Sequence, residues 1–258
     1  MKARRPVIRA AGTSVALLLL MLTASGRSES ATASKIEPGA QHLLAAATDY
    51  LKGQSSLSFT AEIRYDDVQP GGLKYQVNGL AKYVVSRPGN LFVDYTGDRR
   101  SANFYSNGKV FAFYDRLANV YGTAPATDNN DTTLSTIFTK YDFTVPLDDV
   151  VSNDPGKSFM AKVLNGYDLG PSLVEGSATR HLLFTQSDIN WQIWIDSSGP
   201  PIIRELSITY KNLPAEPQYT AIFHDWKFDP IDASVFTFLP PAGAVHVELV
   251  AVPNGGAK

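Results

Sequence analysis

Residues 57–85 read LSFTAEIRYDDVQPGGLKYQVNGLAKYVV, and their alternation decides the fold. Leu57, Phe59, Ala61, Ile63 and Tyr65 alternate with Ser58, Thr60, Glu62 and Arg64, the period of an antiparallel strand with one buried face. Gln69-Pro70-Gly71-Gly72 then supplies a turn, and Leu73, Tyr75, Val77, Gly79, Ala81, Tyr83 and Val85 resume the alternation. A strand of about thirteen residues is long, and a long twisted strand curls. Gly79 and Ala81 sit in its middle, where small side chains leave room above the concave surface. Ile63, Tyr75, Val77, Gly79 and Tyr83, with Ile193 from a later strand, are therefore the expected lining of a cavity.

Working outward, Arg87-Pro88-Gly89-Asn90 turns the chain, and strands are expected at about 91–96, 99–105, 109–115 and 119–122, with Asn107-Gly108 as a hairpin signal. Before the long pair, Pro38 opens a helical pattern that carries Leu43, Leu44, Ala47, Tyr50 and Leu51 and stops at Gly53. After the first meander, Leu134, Ile137, Phe138 and Tyr141 have helical spacing, a short piece carries Val150 and Val151, and a third helix carries Phe159, Met160, Val163 and Leu164. Strands return at about 167–176, 179–186, 190–196, 202–211 and 218–228. The fold class is mainly β (α+β): a curled antiparallel sheet or incomplete barrel of about ten strands with helices covering the concave face. No Pro-, Gly- or Ser-rich linker divides it, so 36–250 reads as a single domain and 251–258 as a flexible tail.

The N-terminus has the organisation of an export signal. Lys2, Arg4, Arg5 and Arg9 precede the apolar run Val15 to Leu22, and cleavage fits after Gly26 or after Ala33. An uncleaved anchor is the alternative, although the apolar run falls short of the about 20 residues of a membrane span. Ser25 stands where a bacterial lipoprotein signal would carry its lipid-bearing Cys. The 258 residues have 23 Lys and Arg against 25 Asp and Glu; either cleavage leaves a net charge of −6 (18 against 24, or 19 against 25). No basic stripe points to nucleic acid. With no cysteine at all, disulfides, thiolate metal sites and thiol nucleophiles are excluded.

No constellation carries chemistry. His42, His181, His224 and His246 are not spaced as metal ligands, and the pairs Asp66-Asp67 and Asp148-Asp149 fall at a strand end and a helix start. There is no G-x-S-x-G elbow, H-E-x-x-H or phosphate-cradling glycine loop, so no catalytic residue, metal or cofactor is expected. The aromatic load stands out, with 12 Tyr, 13 Phe and 3 Trp. Phe111 and Phe113 alternate with Val110, Ala112 and Tyr114, and the periodicity of the last strand sets Ile222, Trp226 and Phe228 opposite Tyr219, Ala221 and Phe223. Strands apolar on both faces are buried twice or contact a ligand.

The order of elements over about 36–250 and the ending Phe236-Thr237-Phe238-Leu239-Pro240-Pro241-Ala242-Gly243, an F-x-F-x-P-P-x-G string, resemble the LolA-like periplasmic lipoprotein-carrier superfamily, in a branch described as predicted periplasmic proteins. The resemblance implies an incomplete barrel lidded by helices and a cavity for lipid acyl chains or acylated proteins. The lid is expected to carry Leu134, Ile137, Phe138, Phe159, Met160 and Leu164. The expected function is non-enzymatic binding or carriage, in the periplasm, of a lipid, lipoprotein or other amphiphile. The alternative is an envelope sensor or regulatory module that signals to a membrane partner. The expected partners are a lipid or acylated protein and an inner- or outer-membrane protein; no nucleic acid is expected, and the chain is expected to be a monomer.

Overall fold

The computed structural model describes residues 35–252; the expected export signal and residues 253–258 of the expected tail lie outside the described residues. The long pair forms as the alternation requires. Strands β2 (Ser56–Val68) and β3 (Lys74–Ser86) run thirteen residues each and pair in register from Ser56 with Ser86 to Val68 with Lys74. The first meander continues through β4 (Asn90–Gly97), β5 (Ser101–Asn107), β6 (Val110–Asp115) and β7 (Val120–Pro125). The second comprises β8 (Asn165–Val174), β9 (Ser177–Thr185), β10 (Ile189–Asp196), β11 (Ile203–Tyr210) and β12 (Gln218–Lys227). Antiparallel pairing of β12 with β2 joins the meanders into one open, curled sheet.

The sheet has thirteen strands rather than about ten. Eleven belong to the meanders. The other two, β1 (Lys35–Ile36) and β13 (Val245–His246), pair in parallel with β8 and β7 at the two edges. A two-residue strand has no room for alternation, so its sequence carries no periodic signal.

The inner face of the sheet carries the core. Helix α1 (Pro38–Lys52) starts at a proline, which needs no N–H in the first turn, and buries Ala40, Leu44, Ala47 and Leu51 against β8 and β10. Burial of each leucine is worth about 1.5–3 kcal/mol. Between the meanders lie α2 (Asn130–Tyr141), α3 (Asp148–Val151) and α4 (Pro155–Met160). The Asn129 side chain accepts the Thr132 N–H at the start of α2, and Asp154 accepts that of Lys157 at the start of α4.

The outer face explains the doubly apolar strands. Phe111 and Phe113 face inward, whereas Tyr114 faces outward and lies under Phe238, whose ring centroid is 5.9 Å from that of Tyr114 and 5.1–5.3 Å from those of Tyr105 and Tyr121. The F-x-F-x-P-P-x-G ending is thus a strap. Phe236 is buried, Phe238 clamps three tyrosines, and Gly243 takes φ +75° in the turn that delivers β13. The chain then packs Leu249 over Gly122, and the Val252 N–H donates to the Lys140 carbonyl at 2.9 Å.

The last strand departs from its simple period. A bulge between His224 and Lys227, with Asp225 at φ +54°, rephases β12. Trp226 and Phe228 consequently join Phe223 on the inner face rather than opposing it, with Phe223 and Trp226 stacked at 5.8 Å.

Candidate functional site

Beneath α4 the inner face of the second meander is filled by Phe159, Trp191 and Phe184, with a cleft left beside α1 at the far end of β9 and β10, whereas part of the first meander's inner face is hollow. A cavity of about 370 Å³ opens between β2, β4, β5, β6 and β12. Its floor is Ile63, Val93, Ala102, Phe104 and Phe113. Its roof is the loop between α2 and α3, with Phe143, Thr144, Val145 and Pro146. Tyr65, Tyr95 and Tyr219 complete its lining, with the exposed Arg99 and Arg100 at its open edge.

The strand pairing places the tyrosines. Tyr65 and Tyr219 are register partners on β2 and β12. Tyr95 lies across the paired glycines Gly79 and Gly97, where an added Cβ at either would stand 2.5 Å from its hydroxyl. The two glycines thus make a seat for an aromatic ring that walls the cavity. Burial pushes the Tyr95 and Tyr219 hydroxyls upward in pKa, so both are neutral donors near pH 7. The Tyr219 hydroxyl is buried and has no hydrogen-bond partner among the described residues.

The roof is anchored from below. Tyr83, fully buried, donates its hydroxyl to the Pro146 carbonyl at 2.7 Å. Phe143 packs edge-on against Phe113 at 4.9 Å and lies 6.5 Å from Phe104. Val145 is buried, and Val150 and Val151 of α3 are buried behind it.

Of the residues expected to line the cavity, Ile63 does so. Gly79 contributes through Tyr95, because the space above it is occupied by that ring. Tyr83 lies beneath the roof, and Val77 is buried farther along β3. Tyr75 is 37% exposed and donates to Asp67 at 2.9 Å near the β2–β3 turn, where the strand pair extends past the covered region. Ile193 is fully buried in the filled half.

The residues expected to form the lid are not on the cavity wall. Leu134 and Ile137 pack into the core from α2, and Phe138, at the edge of that packed face beside Leu134, is 56% exposed. Phe159 stacks against Trp191 at 5.3 Å, Met160 is partly buried against the core, and Leu164 is 47% exposed just before β8. Helical spacing identifies a face that packs, and these helices pack as core. The covering segment is a loop, for which no period exists. Its signal was compositional, the apolar residues of Phe143-Thr144-Val145-Pro146 between two helices.

The polar candidates take structural partners. Asp66 accepts from the Gln218 N–H at 3.0 Å and pairs with Lys74 at 3.0 Å; Asp67 pairs with Arg99. Asp148 and Asp149 open α3 in an acidic cleft with Asp131 and Phe138, where desolvation and then the Asp148 charge push the Asp149 carboxyl up to about 6. The histidines stay apart. His181 stacks on Trp194 at 4.1 Å, His224 lies 3.5 and 3.7 Å from Glu175 and Glu62, and His246 packs on Tyr121. Among the described residues no group of three His, Asp or Glu side chains is arranged to hold a metal.

Solved structures with a similar course of the chain include an uncharacterized conserved protein from Thermus thermophilus. It is 11% identical, with a TM-score of 0.48 and coverage of 81% of this chain and 99% of that one. The Mycobacterium tuberculosis lipoprotein LppX matches at 14% identity and a TM-score of 0.43, covering 76% of this chain and 99% of its own. A LolA superfamily protein from Nitrosomonas europaea matches at 13% identity and a TM-score of 0.35, covering 77% and 97%. No sequence among the curated proteins matches this chain. The profile of one family covers residues 40–250, from α1 through the strap beyond β13, and the chain belongs to that family, DUF2092, described as predicted periplasmic protein.

Proposed function

We propose that this chain is an exported, non-enzymatic periplasmic protein that binds or carries an amphiphile, its apolar part held in the cavity beneath the 143–146 loop. The observation that carries this reading is the cavity itself. Aliphatic and aromatic side chains from four strands make its floor, yet the inner face there is left unfilled. About 370 Å³ falls within the roughly 300–1,000 Å³ of small-molecule sites. Each methylene withdrawn from water into such a space gains about 0.8 kcal/mol, enough over a chain to hold a lipid that water rejects.

The basic and apolar segments before Ala33, together with the family description, support export and cleavage after residue 26 or 33. The paired acids and separated histidines support binding without catalysis. Native mass spectrometry of protein purified from the periplasm of its own cells tests the reading. The expected result is a mature chain beginning at residue 27 or 34 with a co-purifying lipid mass. Lipid-free protein recovered with a membrane protein would instead favour a sensor, and a chain beginning at Met1 would remove the export reading.

A further inference from the structure

The mouth of the cavity holds a cation with no carboxylate of its own. Arg99 pairs with Asp67, Arg116 with Asp94, Arg180 with Asp168 and Arg204 with Asp196, whereas Arg64, Arg87 and Arg100 have no such pair among the described residues, and of these three Arg100 alone lines the cavity. Arg100 has no carboxylate partner among the described residues. Its guanidinium lies over the ring of Phe113, 5.4 Å from the centroid, and that ring is part of the cavity floor. A guanidinium stacked on an aromatic keeps its edge donors free for a planar or tetrahedral oxyanion. Next to it the wall is apolar. Elsewhere on the lining, Tyr219 adds a buried hydroxyl without a partner among the described residues.

Charge and shape together select a ligand class. We propose that the cavity takes a single-chain anionic amphiphile, with its acid group on Arg100 at the mouth and its chain against Val93, Phe104 and Phe113. This rests on reading the cavity as a binding site. A volume of about 370 Å³ has room for one acyl chain of medium length. An acidic protein would repel such a ligand without a local cation, and Arg100 supplies one. The acid could be the carboxylate of a fatty acid or the phosphate of a single-chain phospholipid, since both accept paired N–H donors.

Calorimetric titration of the purified protein with dodecanoate, dodecyl phosphate and dodecanol, each below its aggregation concentration, tests the proposal. At least one of the anions is expected to bind about tenfold more tightly than the alcohol of equal chain length. Tighter dodecanoate assigns the site to fatty acids, and tighter dodecyl phosphate to phospholipid heads. Arg100→Gln should remove the preference, bringing the affinity of both anions down to that of dodecanol for the same variant, and Arg100→Lys should retain part of it. Arg64→Gln, on the opposite face of β2, should leave the preference intact. Equal binding of dodecanol and both anions to the parent, or a preference that survives in Arg100→Gln, would overturn the proposal and leave the cavity reading standing. Binding of none of the three would overturn the cavity reading itself.

Discussion

The two meanders present the same kind of inner face and differ in what covers it. Over the second, α1 buries Leu44 and Leu51 and α4 sets Phe159 on Trp191, which itself stacks on Phe184 at 4.3 Å, while the Phe184 ring lies over Gly166 with Ile36 beside it. Over the far part of the first, the cover is the short loop 142–147 between α2 and α3, hung from one tyrosine hydroxyl. A helix offers a side chain to the sheet on every turn and so fills the space beneath it. A short loop spans its gap with few side chains, and the space remains. Filling and hollowness therefore follow from the covering segment more than from the strands, which bring buried aromatic side chains to the inner face in both halves.

If that contrast is right, substitutions of the same kind should behave differently in the two halves. The largest effect is expected from Trp191→Ala, which removes the centre of the stack in the filled half. The cost is about 3–5 kcal/mol, read as a lower urea midpoint, with affinity for a fluorescent fatty acid unchanged while the protein is folded. Loss of affinity at urea-free, fully folded conditions would mean that the halves are not independent. Tyr83→Phe comes next. It leaves the Pro146 carbonyl short of a donor under the roof, for about 1–3 kcal/mol of stability, and should also speed release of the bound probe in stopped-flow displacement. A loss of stability with unchanged release would detach the roof from binding.

The smallest effect concerns pH. The Asp149 carboxyl titrates at about 6 in the folded protein, above its ordinary value of 3.8, so the folded state holds the proton more tightly. Stability from this group is therefore present below about pH 4 and is lost as pH rises through about 6. Because the side chain borders solvent, the contribution is screened. Asp149→Asn should raise Tm at pH 7 by no more than about 2 °C and have less effect near pH 4, by differential scanning fluorimetry. A lower Tm at pH 7 would show that the ionised carboxylate is stabilising there.

Much of this was legible in the sequence. Alternation over residues 57–85 identified the long pair, and each turn signal from Gln69-Pro70-Gly71-Gly72 to Asn107-Gly108 joins neighbouring strands. The edge strands were not legible, because two residues cannot show a period. Nor was the rephasing of β12, since the residue that causes it, Asp225 at φ +54°, is an ordinary aspartate in the string. For the candidate site, Ile63 lies on the cavity lining and the helical residues expected as a lid lie off it, because amphipathic spacing marks a packed face. The seat of Tyr95 has a readable trace: two glycines that pair across β3 and β4, one of them two residues from a tyrosine.

Whether the first half encloses usable space is read most directly from a pair of matched enlargements. Ala102 lines the cavity and Ala47 is buried in α1 over the filled half. Thermal and urea unfolding, with titration of a fluorescent fatty acid, should be run on Ala102→Leu, Ala47→Leu and the parent. The account predicts that Ala47→Leu loses about 1–3 kcal/mol through overpacking and binds the probe as the parent does, whereas Ala102→Leu keeps its stability and binds at least about tenfold more weakly. Equal destabilisation of both variants, with no probe binding by the parent, would contradict it and make the whole inner face ordinary core.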